Sequence, residues 1–193
     1  MNLNQVILAE GKNMNQNTTE HPHKHHFPTR ILSELTIFVA LTIVLRDILP
    51  PLFEMPQGGS VTIAGLVPII WFSLRRGLKY GVLAGAVYGI INAFLPGAYI
   101  IHPIQGLLDY PLAFGALGLA GSFRKYPLLG VATGIAGRFV CSFAAGIIFF
   151  TFLSVDGVIT SATYNGIYLI PELIITVVVI YILLKKNLLN IYK

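Results

Sequence analysis

The chain has 193 residues, 55% of them hydrophobic and only 11% charged, with a formal net charge of +5. A soluble domain carries about 25% charged residues. With a mean hydropathy of +0.74, the composition excludes an ordinary water-soluble domain and points to a polytopic membrane protein of one domain. The single cysteine, Cys141, excludes an intrachain disulfide and a cysteine metal cluster.

Residues 1–29 are polar and contain His21, His23, His25 and His26. They lack the apolar run of a signal peptide and read as a disordered cytoplasmic tail. A metal site in the histidine tract would need acidic or cysteine partners at ligand spacing, and none is there. The sequon Asn17-Thr18-Thr19 has no meaning on a cytoplasmic tail. Apolar segments follow near 31–49, 61–74, 78–95, 105–121, 128–152 and 161–184, giving a membrane domain over 30–186 and a short cytoplasmic tail at 187–193. Most approach the roughly 20 residues a spanning helix needs. The second is short, so it is expected to tilt or to borrow flanking residues.

Loop charge sets the orientation. Lys12, Lys24 and Arg30 precede the first segment, and Arg75, Arg76 and Lys79 lie between the second and third. Arg124 and Lys125 lie between the fourth and fifth, and Lys185, Lys186 and Lys193 follow the sixth. An all-α bundle of six transmembrane helices with both termini inside puts all of these on the cytoplasmic face, leaving only Arg46 and Arg138 elsewhere. That is the positive-inside pattern. It accounts for the basic balance without nucleic acid, for which the aromatic and basic interleaving of single-strand binders is missing.

The opposite face holds Pro50, Pro51, Phe53, Glu54 and Gln57-Gly58-Gly59, then Pro96, Gly97 and Tyr99, then Asp156 and Gly157. A ligand site near the outer face follows from this topology. Gly81, Gly85 and Gly89 form a small-residue stripe for close helix packing, and Thr36 and Ala40 form another on the first segment, for internal packing or for another protein.

Polar groups inside the bilayer are the functional candidates. Arg138 and Glu172 each fall near mid-membrane by residue count and are expected to form a buried ion pair. Asp109, four residues after Gln105, has only Arg46 as a cation on the outer side. Burying its carboxylate uncompensated costs about 2.5 kcal/mol or more, so it is either solvated in a pocket or reserved for a ligand. Tyr99, Tyr110, Phe150, Tyr164 and Tyr168 add aromatic surface on the same side. Aromatic faces with one carboxylate suit a planar cation. Ser142, Gly146 and Phe150 share a helix face on which the glycine leaves a recess, and the Asn165 amide both donates and accepts. His102, beside Pro103, is a weaker candidate that shapes the outer loop or touches ligand.

Six pieces occur in order and at matched spacing: Pro56-Gln57-Gly58-Gly59-Ser60, Arg75-Arg76-Gly77, His102-Pro103-Ile104-Gln105, Leu108-Asp109-Tyr110, Gly146-Ile147-Ile148-Phe149-Phe150 and Tyr164-Asn165-Gly166-Ile167-Tyr168. Over about residues 30 to 185 the chain resembles the thiamine-specific substrate-binding subunits (S components) of energy-coupling factor (ECF) transporters. The resemblance implies six helices, a thiamine site near the outer face and a lid formed by the loop around 50–60. It places the acidic-Tyr pair on Asp109 and Tyr110, with the acid at the aminopyrimidine, the loop tyrosine on Tyr99, the helix-five glycine and stacking aromatic on Gly146 and Phe150, and the helix-six asparagine on Asn165. The docking stripe for the transmembrane coupling subunit falls on Thr36 and Ala40. The chain departs from the family at Ser142, where His is usual, and at Thr160, where Tyr is usual.

The resemblance implies a bacterial, multi-pass plasma-membrane protein in contact with lipid, partnered by a coupling subunit and two ATPases. No Gly-rich phosphate loop with Lys is present, so ATP hydrolysis belongs to the partners and the chain is not itself an enzyme. No cofactor or metal is expected. Two alternatives stay open: binding of a pyrimidine or thiazole precursor of thiamine, given Ser142 and Thr160, and a solitary proton-coupled secondary transporter in which Asp109 carries the proton. The latter lacks an inverted repeat. An intramembrane enzyme would rest on His102 with Asp109 alone, a pairing that Pro103 disfavours.

Overall fold

The computed structural model describes residues 29–150 and 154–187. The expected N-terminal tail, apart from Thr29, and residues 188–193 lie outside the described residues. Helix α1 (Thr29–Ile43) opens into a wide π turn at Val44–Ile48. A hairpin follows, strand β1 (Phe53–Glu54) antiparallel to β2 (Ser60–Val61), with Phe53 opposite Val61 and Glu54 opposite Ser60. Next come α2 (Val67–Arg76) and α3 (Leu78–Asn92). Residues 103–123 are one continuous helical run: α4 (Pro103–Leu107), a π turn (Leu108–Leu112), α5 (Ala113–Ala116) and a 3₁₀ stretch (Leu117–Phe123). Helix α6 (Pro127–Ala145) ends in a third π turn (Gly146–Phe150), and α7 (Val155–Lys185) closes the chain.

Local chemistry sets these boundaries. Proline stands in the first turn of α2, α4 and α6, where its missing N–H costs nothing. Ser154 caps α7 by accepting from the Gly157 N–H at 3.0 Å, with Asp156 in the positive first turn. Gly77, at φ 91°, lets α3 begin as soon as α2 ends, a conformation in which a side chain would be strained. The second apolar segment is thus helical only from Val67, because residues 60–61 belong to the hairpin. The sixth begins at Val155, earlier than hydropathy placed it.

Helix α3 lies almost backbone to backbone on the 103–123 run. A methyl group on Gly85 would strike the Phe114 carbonyl, and one on Gly89 the carbonyl of Tyr110. The predicted glycine stripe therefore packs internally. The core beside it holds Leu66, Ile69, Ile70, Phe72, Tyr88, Phe114 and Leu117, all essentially excluded from solvent. At one end of the bundle Glu34 receives Arg76 Nε at 2.6 Å and Arg75 at 3.5 Å, and Arg124 donates to the carbonyls of Leu74 and Arg75.

Helix α7 is built inside out relative to a water-soluble helix. Its buried stripe runs Gly157, Ser161, Asn165, Tyr168, Glu172, Thr176 and Ile180, whereas Ile167, Ile170, Ile174 and Val178 are exposed. A soluble helix puts apolar residues inward, and the reversal fits an apolar surround. Among the described residues, Pro127–Phe150 and Val155–Lys185 are long and apolar enough to cross a bilayer.

The backbone approach at Gly89 gives a direct test. Gly89→Ala should destabilise by about 1–3 kcal/mol, since the new methyl meets main chain rather than a movable side chain. Thermal unfolding in detergent reads this, with the open position Gly97→Ala as a control for strain alone, its φ of 94° being positive.

Candidate ligand-binding site

A cavity of about 260 Å³ opens between the hairpin, the 103–123 run, α6 and α7. Its lining includes Tyr99, Gln105, Asp109, Tyr110, Ser142, Gly146, Phe150, Tyr164 and Asn165, the residues singled out from sequence, together with Thr160. Thr36 and Ala40 lie elsewhere, on an exposed face of α1, with Thr36 Oγ1 donating back to the Leu32 carbonyl at 3.0 Å.

All three π turns among the described residues feed this cavity. Val44–Ile48 carries Arg46, Leu108–Leu112 carries Asp109 and Tyr110, and Gly146–Phe150 carries Gly146 and Phe150. A π turn adds a residue to the helical repeat and widens it, and such turns recur at functional sites. In the second, Pro111 lacks the N–H a regular helix would use.

The Asp109 carboxylate accepts from Gln105 Nε2 at 2.7 Å, and the Ser142 hydroxyl is its other near neighbour. Gln105 is 1% exposed and fully engaged: Nε2 also donates to the Tyr99 carbonyl at 3.2 Å, and Oε1 accepts from the Ile101 N–H at 3.1 Å. The Tyr110 hydroxyl accepts from the Tyr99 N–H at 2.7 Å. Gln105 and Tyr110 thus pin the loop that carries Tyr99. The Tyr99 ring stacks on Phe150 with centroids 5.9 Å apart and planes at 27°. Beside it His102 stacks on Phe149 at 5.0 Å, and His102 Nδ1 caps α4 by accepting from the Ile104 N–H. His102 is therefore a loop-shaping residue outside the cavity lining.

On α7, Asn165 donates to the Ser161 carbonyl at 2.9 Å and accepts from the Tyr168 hydroxyl at 2.9 Å. Ser161 Oγ in turn donates to the Phe143 carbonyl of α6 at 3.0 Å. Any side chain on Gly146 would collide with Ser161 Oγ, so this glycine sets the α6–α7 spacing as well as lining the recess.

The hairpin covers one side of the cavity and is tied to α7 at two levels. The Tyr164 hydroxyl donates to the Pro56 carbonyl at 2.6 Å and accepts from the Gly59 N–H at 3.1 Å. A Cβ on Gly59 would sit 2.9 Å from the Tyr168 ring, so the hairpin can lie this close only because the position is glycine. Further in, Glu172 Oε1 accepts from the Thr62 N–H and the Thr62 hydroxyl, each at 2.8 Å, and from Arg46 at 3.3 Å. Arg46 also donates to Ser60 Oγ at 3.3 Å.

This corrects the expected Arg138–Glu172 ion pair. Glu172 pairs with Arg46, and the Arg138 guanidinium packs over the Phe114 ring at 4.2 Å. Depth along straight helices suggested the wrong partner because the chain after α1 folds back inward and the π turn at Val44–Ile48 swings Arg46 into the bundle. Phe114 and Asn92, both cavity-lining, escaped the sequence reading. Arg46, also in the lining, stood out there as the outer-side cation available to Asp109, but not as the partner of Glu172. Among the described residues no cluster of His, Cys, Asp or Glu is placed to hold a metal ion.

Two variants follow from the hairpin ties. Tyr164→Phe removes both hydroxyl bonds, at about 0.5–1.5 kcal/mol each, and should speed amide exchange over residues 55–61 while leaving α2 and α3 unchanged in hydrogen-exchange mass spectrometry. Arg46→Met strands a carboxylate 1% exposed and should cost about 3–5 kcal/mol. Adding Glu172→Gln should recover part of that loss in thermal unfolding, whereas strictly additive losses would contradict the pairing.

Comparison with known proteins identifies the family. Residues 32–191 match the family model described as thiamine transporter protein (Thia_YuaJ). The thiamine transporter ThiT of Bacillus subtilis (strain 168) is 33% identical over 171 residues, covering 79% of this chain and 88% of the relative. ThiT of Lacticaseibacillus paracasei is 32% identical over 142 residues, covering 62% and 71%. A solved structure of ThiT from Listeria monocytogenes superposes with a TM-score of 0.72 at 25% identity, covering 82% of this chain and 94% of that one. With residues 32–191 matched by the family model and 33% identity to a relative covered over 88% of its length, the chain belongs to the thiamine transporter family.

Proposed function

We propose that the chain is the thiamine-binding membrane subunit of an ATP-driven ECF uptake transporter. In this reading it spans the plasma membrane of a bacterium six times with both termini inside, and the cavity mouth by Tyr99 and Phe150 faces outward. The single observation that carries the ligand assignment is the combination within one cavity of Asp109 with the stacked Tyr99 and Phe150 rings. Asp109 takes the exocyclic amine of the aminopyrimidine, and the aromatic pair takes the thiazolium through ring contact and cation–π attraction. Tyr110, Gln105, Ser142, Gly146, Tyr164 and Asn165 shape and line the space between. The hairpin over residues 53–61 serves as the lid. The names of the relatives support the ligand.

Uptake then needs a coupling subunit, docked on the exposed Thr36 and Ala40 face of α1, and two ATPases. Ser142 and Thr160 are smaller than the family's usual residues there, which leaves a thiamine precursor as the second reading. Calorimetric titration separates the two. The purified chain should bind thiamine more tightly than either its pyrimidine or its thiazole half, and Asp109→Asn should weaken thiamine by about 10- to 100-fold, the loss of one charge-assisted hydrogen bond. Binding of one half with no response to thiamine would keep the cavity and change the substrate. Uptake by cells that lack the ATPases, abolished by a protonophore, would instead establish a secondary transporter.

A further inference from the structure

Arg138 is 4% exposed and lines the cavity, yet its Nε and Nη1 groups have no acceptor among the described residues. Leaving buried charged donors unmatched is costly, so the position invites an explanation. The guanidinium carbon sits over the Phe114 ring at 4.2 Å, with the Tyr168 ring at 5.9 Å. Ring contact satisfies the cation's charge in part but none of its N–H donors by a hydrogen bond. Neither neighbouring carboxylate reaches these donors, and Glu172 Oε2 is itself buried without a hydrogen-bond partner among the described residues. Glu172 Oε1 serves Arg46 and Thr62, and Asp109 serves Gln105.

Arg138, Ser142, Gly146 and Phe150 recur every four residues along the cavity wall. Ser142, one turn (about 6 Å) beyond Arg138, reaches Asp109. A group that only donates and a group that only accepts therefore lie about one helical turn apart at the same end of the cavity. The charges there balance, Arg46 and Arg138 against Asp109 and Glu172, which disfavours an anion. What fits is a flat, neutral ring carrying a donor beside an acceptor. An aminopyrimidine has that pattern, an amino group adjacent to a ring nitrogen.

We infer that Arg138 is a second recognition residue, donating to a ring nitrogen of the aminopyrimidine while Asp109 takes its amino group. The inference deepens the thiamine reading and rests on it. It also orients the ligand: the cationic ring is repelled by the guanidinium and goes to the Tyr99–Phe150 end.

The test pairs a change in the protein with a change in the ligand. Thiamine and two deaza analogues, each with one pyrimidine nitrogen replaced by CH, are titrated calorimetrically against the full chain, Arg138→Met and Arg138→Lys. The wild type should prefer thiamine over one analogue by about 10- to 100-fold, the range for a hydrogen bond to a charged group. Arg138→Met should bind thiamine and that analogue equally, and Arg138→Lys should keep an intermediate preference. An undiminished preference in Arg138→Met, or equal binding of thiamine and both analogues by the wild type, overturns the inference while leaving thiamine as ligand. If Arg138→Met does not fold, the Lys variant decides: a narrowed preference supports the inference and an unchanged one overturns it. Failure of the wild type to bind thiamine at all removes the underlying reading, and the inference with it.

Discussion

The carboxylate of Glu172 holds the site together. It is 1% exposed, and one of its oxygens gathers the Thr62 main chain, the Thr62 hydroxyl and the Arg46 guanidinium. Those three bonds join the end of α1, the base of the hairpin and the middle of α7. Besides them the hairpin is held by Tyr164, which binds Pro56 and Gly59 at its tip, and by Arg46 on Ser60. A buried ion pair is often no more stabilising than a packed apolar pair of the same shape. What this one contributes is position: it fixes which loop closes the cavity and where.

From that anchor the cavity divides into two chemical environments. One end is charged, with Arg46, Arg138 and Asp109 around the Phe114 ring. The other is aromatic, with Tyr99 on Phe150 and Tyr164 beneath the hairpin tip. Asp47, outside the lining, accepts from Tyr88 and from the cavity-lining Asn92 at 2.8 Å. The division also explains why the glycines matter: Gly59, Gly146 and Gly89 let backbone and rings approach where any side chain would push the walls apart.

Much of this was legible in the sequence, for physical reasons that can be named. Asp109 stood out because a carboxylate in an apolar stretch needs a purpose, and Ser142, Gly146 and Phe150 fell on one face by simple helical spacing. The close packing of α3 followed from Gly81, Gly85 and Gly89. The Arg138 partner was misassigned because residue counting assumes straight helices and ignores loops that dip inward. Thr62, whose hydroxyl and N–H both reach Glu172, looked like part of a spanning segment. Hydropathy cannot tell a short re-entrant hairpin from the start of a helix when both are apolar. The role of Gln105 as a loop anchor was likewise invisible, since it depends on three contacts made across a turn.

The π turns have a bearing on how such a chain tolerates length changes. In a regular helix each residue advances the side-chain direction by about 100°, so inserting or removing one rotates everything downstream by that angle. At Val44–Ile48, Leu108–Leu112 and Gly146–Phe150 the helix already contains one residue beyond the α repeat. Deleting a residue within Leu108–Leu112, which has helix on both sides, would relax the turn to ordinary α geometry and leave the flanking helices in phase, while carrying Asp109 off the cavity wall. There the chain can lose its ligand site by a single-residue deletion and keep its scaffold. Elsewhere in the same helices a deletion would throw the packing faces themselves out of register.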